Sequence, residues 1–174
     1  PWNYPLLTSV NSIVPALMAG NSVLLKASAQ VPLCGEHFAQ AFRSAGLPKG
    51  VFQNLFLSHE DTERIANSGK MDFTYFTGSV SAGQRIEQAA AGTFAGVALE
   101  LGGKDPAYVM EDANFVDAVE NLVDGAFFNS GQSCCGIERI YVHETLFENF
   151  VEAYVEKVKQ YRLTNPLQPD TTLG

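Results

Sequence analysis

The apolar positions change their period along the chain. Leu6, Leu7, Val10, Ile13, Val14, Leu17 and Met18 recur at helical spacing, which predicts a buried helix with Pro15 kinking its last turn. "AGN" breaks that pattern. "SVLLK", Ser22 to Lys26, then reads as a strand buried on both faces. A second helix is expected from Cys34 to Ala45, stopped by Gly46 and Pro48. "VFQNLF" is expected as a strand, the stretch around Asp61 to Ser68 as a helix, and "DFTYF" as another strand. The turn "TGSVSAG" leads into a helix near Ala82 to Ala91, and "GVALELGG" is a further strand closed by two glycines. Phe115, Ala118, Val119, Leu122, Ala126 and Phe127 mark a helix over Asn114 to Phe128. "RIYVH" reads as a strand and Thr145 to Arg162 as a helix, with its acidic residues early and its basic ones late, as the helix dipole favours. Alternating strands and helices argue for βαβ units and a mainly parallel α/β sheet. Gly-Gly and Pro near Gly102 to Pro106 interrupt the pattern, so the expected division is 1–104 and 105–174.

Composition narrows the partners. The chain has 174 residues, 46% of them hydrophobic and 17% charged, with no apolar run near the roughly 20 residues of a membrane span. It reads as soluble. A formal charge of -8 without a Lys/Arg cluster excludes nucleic acid as an expected partner. Three cysteines, two of them adjacent, do not make a disulfide framework and fit a reducing, cytoplasmic setting. No Cys and His spacing suggests zinc. The chain opens at "PWNYP" and stops at "NPLQPDTTLG", mid-loop by composition, which suggests a piece of a longer protein.

Several residues could carry chemistry. A turn such as "GSVSAG" between strand and helix can aim backbone N–H groups at a phosphate, with Ser79 adding a hydroxyl, yet it lacks the G-x-G-x-x-G spacing, and from the residues alone an ordinary strand-to-helix turn is the favoured reading. Lys26 ends a strand at the edge where open α/β sheets bind ligands, or is simply solvated. Glu100 lies among apolar neighbours and is either a paired or functional carboxylate or an outward-facing strand residue. Within "NSGQSCCG", Cys134 and Cys135 are either small buried hydrophobes or a reachable thiol nucleophile, and chemistry alone does not choose between the two.

Taken in order, these stretches resemble the aldehyde dehydrogenase superfamily over essentially the whole chain. "PWNYP" is similar to its oxyanion motif, "LLKASAQVP" to its cofactor-ribose segment and "FTGSVSAG" to its pyrophosphate turn. "LELGGKDP" is similar to its glutamate motif and "FFNSGQSCCG" to its nucleophile motif. The resemblance implies the later part of a Rossmann-like NAD(P)-binding domain followed by the start of an α/β catalytic domain. It implies Cys134 as nucleophile, Cys135 as a neighbour filling space, Asn3 as oxyanion donor and Glu100 as the base that activates water. For the cofactor, NAD or NADP, it implies Lys26, Ser28 and Ala29 at the ribose, Gly78 and Ser79 at the pyrophosphate, and Leu101 and Gly102 at the nicotinamide, with Trp2 beside the channel.

Many NAD-using members carry a Glu where this chain has Ala29, so NADP is expected to be tolerated. The remaining partner is a small aldehyde, approached past Phe127 and Phe128. The parent protein is expected to be a cytoplasmic homodimer or homotetramer. The family's first nucleotide-binding strands have no counterpart here, so the 174 residues alone are expected to fold poorly and be inactive. The resemblance leaves three other roles: a CoA-acylating dehydrogenase, a cysteine thioesterase or esterase, and a catalytically silent structural or binding protein of the same fold.

Overall fold

A computed structural model describes residues 1–174. The chain divides into two compact units, Pro1–Leu101 and Gly102–Gly174.

In the first unit, α1 (Pro5–Met18) begins with proline in its first turn, where the missing N–H costs nothing. It is followed by β1 (Val23–Leu25), α2 (Pro32–Ser44), β2 (Phe52–Asn54), α3 (His59–Ala66), β3 (Phe73–Gly78), α4 (Val80–Ala90) and β4 (Gly96–Leu101). The strands pair two by two, β1 with β2 and β3 with β4, and both pairs are parallel. A parallel pair needs a crossover, and α2 and α4 supply it. Phe42 on α2 meets Phe52 on β2 with ring centroids 4.9 Å apart. Two helix glycines bring helix against strand: a Cβ at Gly35 would collide with the Asn54 amide, and one at Gly83 would collide with the Leu101 side chain.

The second unit holds β5 (Asp105–Val109), α5 (Phe115–Phe127), a short turn (Phe128–Gly131), β6 (Ile137–Val142) and α6 (Phe147–Val158). β5 and β6 are again parallel, with a register shift between Asp105 and Pro106. Their core is Val109, Val119, Val123 and Phe150, each almost fully buried. Phe150 meets Phe115 edge-on, at 86° and 6.4 Å, and Tyr154 at 5.7 Å. Burying a ring of this size stabilises by about 1.5–3 kcal/mol.

Three expectations are corrected. β5 occupies a stretch whose Gly-Gly and Pro suggested only an interruption; β6 supplies the backbone partners, and the register shift beside Pro106 accommodates the missing N–H. β1 is not covered on both faces, since Leu24 is 42% exposed. α1 forms as expected, yet Ile13 is its one buried residue, and Leu6, Leu7 and Met18 are exposed. Phe127 stacks on Tyr161 at 5.5 Å and packs against the core of the second unit, whereas Phe128 is exposed.

Candidate active site

In the first unit the singled-out residues lie where strands end. Lys26, Ser28 and Ala29 follow the last residue of β1; Lys26 and Ser28 are half-buried and Ala29 is exposed. Gly78 closes β3 and stands in register with Leu101 at the close of β4, one step beyond the pair Thr77 and Glu100. The carboxyl ends of parallel strands are where α/β sheets bind ligands, because the following helices begin there with unpaired N–H groups. Trp2 and Asn3 precede α1, with Trp2 exposed and Asn3 half-buried.

Ser79 is the N-cap of α4. Its Oγ accepts the N–H of Ala82 at 3.3 Å and lies 3.3 Å from the Ser81 hydroxyl. A serine hydroxyl has two acceptor positions and one proton; capping uses one acceptor, and when Ser81 donates to the other the proton is left for a ligand oxygen. The remaining first-turn N–H groups and the positive end of the helix favour an anion. This donor set fits a pyrophosphate.

Glu100 is exposed. Of the two alternatives left open for Glu100, the outward-facing one is realised: period-two alternation turns its side chain away from the face that carries Leu99 and Leu101. Tyr75 pairs with Ala98, two residues before Glu100, so tyrosine and carboxylate share one face of the ladder. Partial burial and the nearby Glu100 charge push the Tyr75 phenol above its ordinary value.

In the second unit Cys134 lies between α5 and β6 and is exposed. The chain reaches it through three successive left-handed residues, Asn129 (φ 51°, ψ 38°), Ser130 (φ 59°, ψ 30°) and Gly131 (φ 73°). For the two that carry side chains this conformation costs about 1–2 kcal/mol each. Asn129 carbonyl accepts the Gln132 N–H at 3.1 Å, Gly131 carbonyl accepts the Ser133 N–H at 2.9 Å, and Ser133 carbonyl accepts the Gly136 N–H at 3.3 Å. Cys135, expected to fill space, is also exposed, with its sulfur 3.3 Å from the Ser133 hydroxyl. Gly102 has open space around it, whereas a Cβ on Gly103 would come within 3.4 Å of the Cys134 carbonyl. Asn3 and Glu100 belong to the first unit and Cys134 to the second.

Asn54, at the end of β2, was not singled out in the sequence. Its amide Nδ2 donates to Glu36 at 2.7 Å, while its buried Oδ1 has no hydrogen-bond partner. Gly35 and Gly83 were missed as packing residues as well. Glycine inside an otherwise helical pattern was the available signal for both.

The sequence profile described as "Aldehyde dehydrogenase family" matches residues 1–174. The D-glyceraldehyde dehydrogenase (NADP(+)) of Picrophilus torridus is 40% identical over 172 residues, covering 98% of this chain and 35% of that protein. Human aldehyde dehydrogenase 1A1 is 41% identical over 177 residues, covering 100% of this chain and 35% of that protein. Among solved structures, the lactaldehyde dehydrogenase of Escherichia coli superimposes with a TM-score of 0.95 at 38% identity, over 100% of this chain and 37% of that one. A 3,6-anhydro-L-galactose dehydrogenase in complex with NAP gives 0.95 at 34% identity, over 100% and 37%. This chain thus spans about a third of the length of the relatives it matches. By a match along its whole length in both sequence and fold, the chain belongs to the aldehyde dehydrogenase family.

Proposed function

We propose that the protein containing this chain oxidises an aldehyde to a carboxylic acid with a nicotinamide dinucleotide, through a thioester on Cys134. The observation that carries the proposal is the exposed Cys134 thiol at the end of a left-handed turn, on the family's nucleophile motif. Residues 1–104 serve the cofactor and 105–174 begin the catalytic domain.

The Cys134 thiolate adds to the carbonyl carbon, and the displaced π pair becomes an oxyanion stabilised by the Asn3 amide and the Cys134 N–H. When bound, the nicotinamide supplies the hydride acceptor. Collapse of the oxyanion expels hydride and leaves the thioester. Glu100 takes a proton from water, hydroxide attacks the thioester, and the thiolate departs. An exposed carboxylate, as Glu100 is here, can reach water directly.

Ser79, Gly78 and the first turn of α4 serve the pyrophosphate, Lys26, Ser28 and Ala29 the ribose, and Leu101, Gly102 and Trp2 the nicotinamide side. NADP is accepted because Ala29 places no carboxylate against a 2'-phosphate. The NADP(+) in the names of the Picrophilus enzyme and of a Mycobacterium tuberculosis succinate-semialdehyde dehydrogenase 38% identical to this chain supports that reading. Retention of Glu100 favours hydrolysis over transfer to coenzyme A. The protein is cytoplasmic and assembles as a homodimer or homotetramer; no helix of this chain is long and apolar enough to cross a membrane.

The test is reduced-cofactor formation by the full-length enzyme over a panel of aldehydes, with Cys134→Ala, Cys135→Ala and Glu100→Gln compared with wild type. Cys134→Ala should abolish turnover, Cys135→Ala should spare it, and Glu100→Gln should keep a first burst of hydride transfer and then stall. An active Cys134→Ala would overturn the proposal.

A further inference from the structure

The left-handed turn before Cys134 is formed by two residues with side chains, Asn129 and Ser130, and one glycine. Side chains rarely adopt this region of φ and ψ, and asparagine does so most readily among the non-glycine residues. Asn129 also bridges its own turn. Its backbone carbonyl accepts the Gln132 N–H at 3.1 Å and its side-chain Nδ2 donates to the Gln132 carbonyl at 3.3 Å. Both polar groups of the Gln132 peptide backbone are thus held by one residue, and Gln132 is two positions before Cys134.

From this geometry we infer that Asn129 is a positioning residue for the nucleophile. Its amide clamps the Gln132 carbonyl and so fixes the direction in which the chain enters Ser133 and Cys134. The loop is exposed at Asn129, Gln132 and Cys134; Ser130 Oγ ties it to the Gly174 carbonyl at 2.7 Å, while Asn129 holds Gln132 from within the turn. Asn129 touches no reacting atom; it acts through the backbone that carries the thiol and the Cys134 N–H. A group misplaced by about 1 Å can lose about 100-fold in rate.

The inference rests on Cys134 being the nucleophile, and its test keeps the two apart. In the full-length enzyme carrying Cys135→Ala, Asn129→Gly retains the freedom to be left-handed but loses the amide, and Asn129→Asp retains shape but loses the N–H donor. Two quantities are measured: the rate of Cys134 alkylation by iodoacetamide as a function of pH, followed by mass spectrometry of the Cys134 peptide, and kcat and KM for aldehyde and dinucleotide. Both variants should lower kcat by about tenfold or more and change the alkylation profile, with the dinucleotide KM held within about twofold. A merely structural role would lower the melting temperature and leave those profiles alone. If both variants alkylate and turn over within about twofold of the parent, the inference is wrong. Alkylation does not depend on turnover, so an active Cys134→Ala would remove the proposed reaction while the clamp is still judged by that arm.

Discussion

A side-chain carbon at Gly83 would stand 2.7 Å from Leu101 Cδ2. The first turns of α4, whose N-cap is Ser79, are thereby laid directly on the end of β4, where Glu100 and Leu101 lie. Gly83→Ala forces Leu101 aside and is expected to destabilise by about 1–3 kcal/mol, as overpacking does. Chemical denaturation of the full-length protein measures it. Shortening Leu101 to Val in the same molecule should return part of the loss, because the clash is with the far end of a movable side chain.

Ser79 has two tasks that substitution can separate. Ser79→Ala removes the acceptor of the Ala82 N–H and should cost about 1 kcal/mol while weakening dinucleotide binding. Ser79→Asp keeps a capping oxygen but sets a negative charge where a pyrophosphate would lie. It is expected to keep stability and to lose affinity for the dinucleotide, which titration calorimetry alongside thermal melting would show.

Ala29 is exposed just beyond β1. Ala29→Glu restores the carboxylate that would repel a 2'-phosphate and accept the ribose hydroxyls. Its kcat/KM with NADP should fall by more than about tenfold relative to NAD. Steady-state rates with the two cofactors are the check, and an unchanged ratio would remove Ala29 from the account of selectivity.

The core of the second unit depends on one ring. Phe150 is 3% exposed and contacts both Phe115 and Tyr154. Phe150→Ala should cost about 3–5 kcal/mol, and hydrogen exchange should show the loss in α5 and α6 before the first unit responds. The salt bridge of Lys157 to Glu120, at 2.7 Å between the same helices, is solvent-exposed and will not compensate.

Alkaline stability has a nearby reporter. Burial and the neighbouring Tyr161 raise the Tyr154 phenol above its ordinary value of 10.0. The folded state therefore favours the protonated form. The resulting stability is fully present below pH 10 and is lost as pH rises through the folded value. Tyr154→Phe should flatten the decline of the urea midpoint above pH 10. Glu120 works in the opposite direction. Its hydrogen bond and charge pairing with Lys157 hold its carboxyl below the usual range; that contribution is present above the unfolded pKa and fades as pH falls through the folded one.

The order of helices and strands in the first unit was legible because each residue's period is a local property: α1 from Leu6 to Met18 and β4 from "GVALEL" both formed where spacing put them. The motif positions were legible for the same reason, since Ser79 needs only the start of a helix beside it to become a cap. Tertiary structure alone decided β5, whose Gly and Pro neighbours disguise a strand that exists because β6 supplies its partners. It also decided burial. Glu100 and Leu24 sit among apolar neighbours in sequence yet are exposed, and Phe127 is tied to Tyr161. Period shows which side chains share a face; packing against other elements determines whether that face is covered. The left-handed turn at Asn129 belongs to the second class too, since Ser130 within it is hydrogen-bonded to the carbonyl of the distant Gly174.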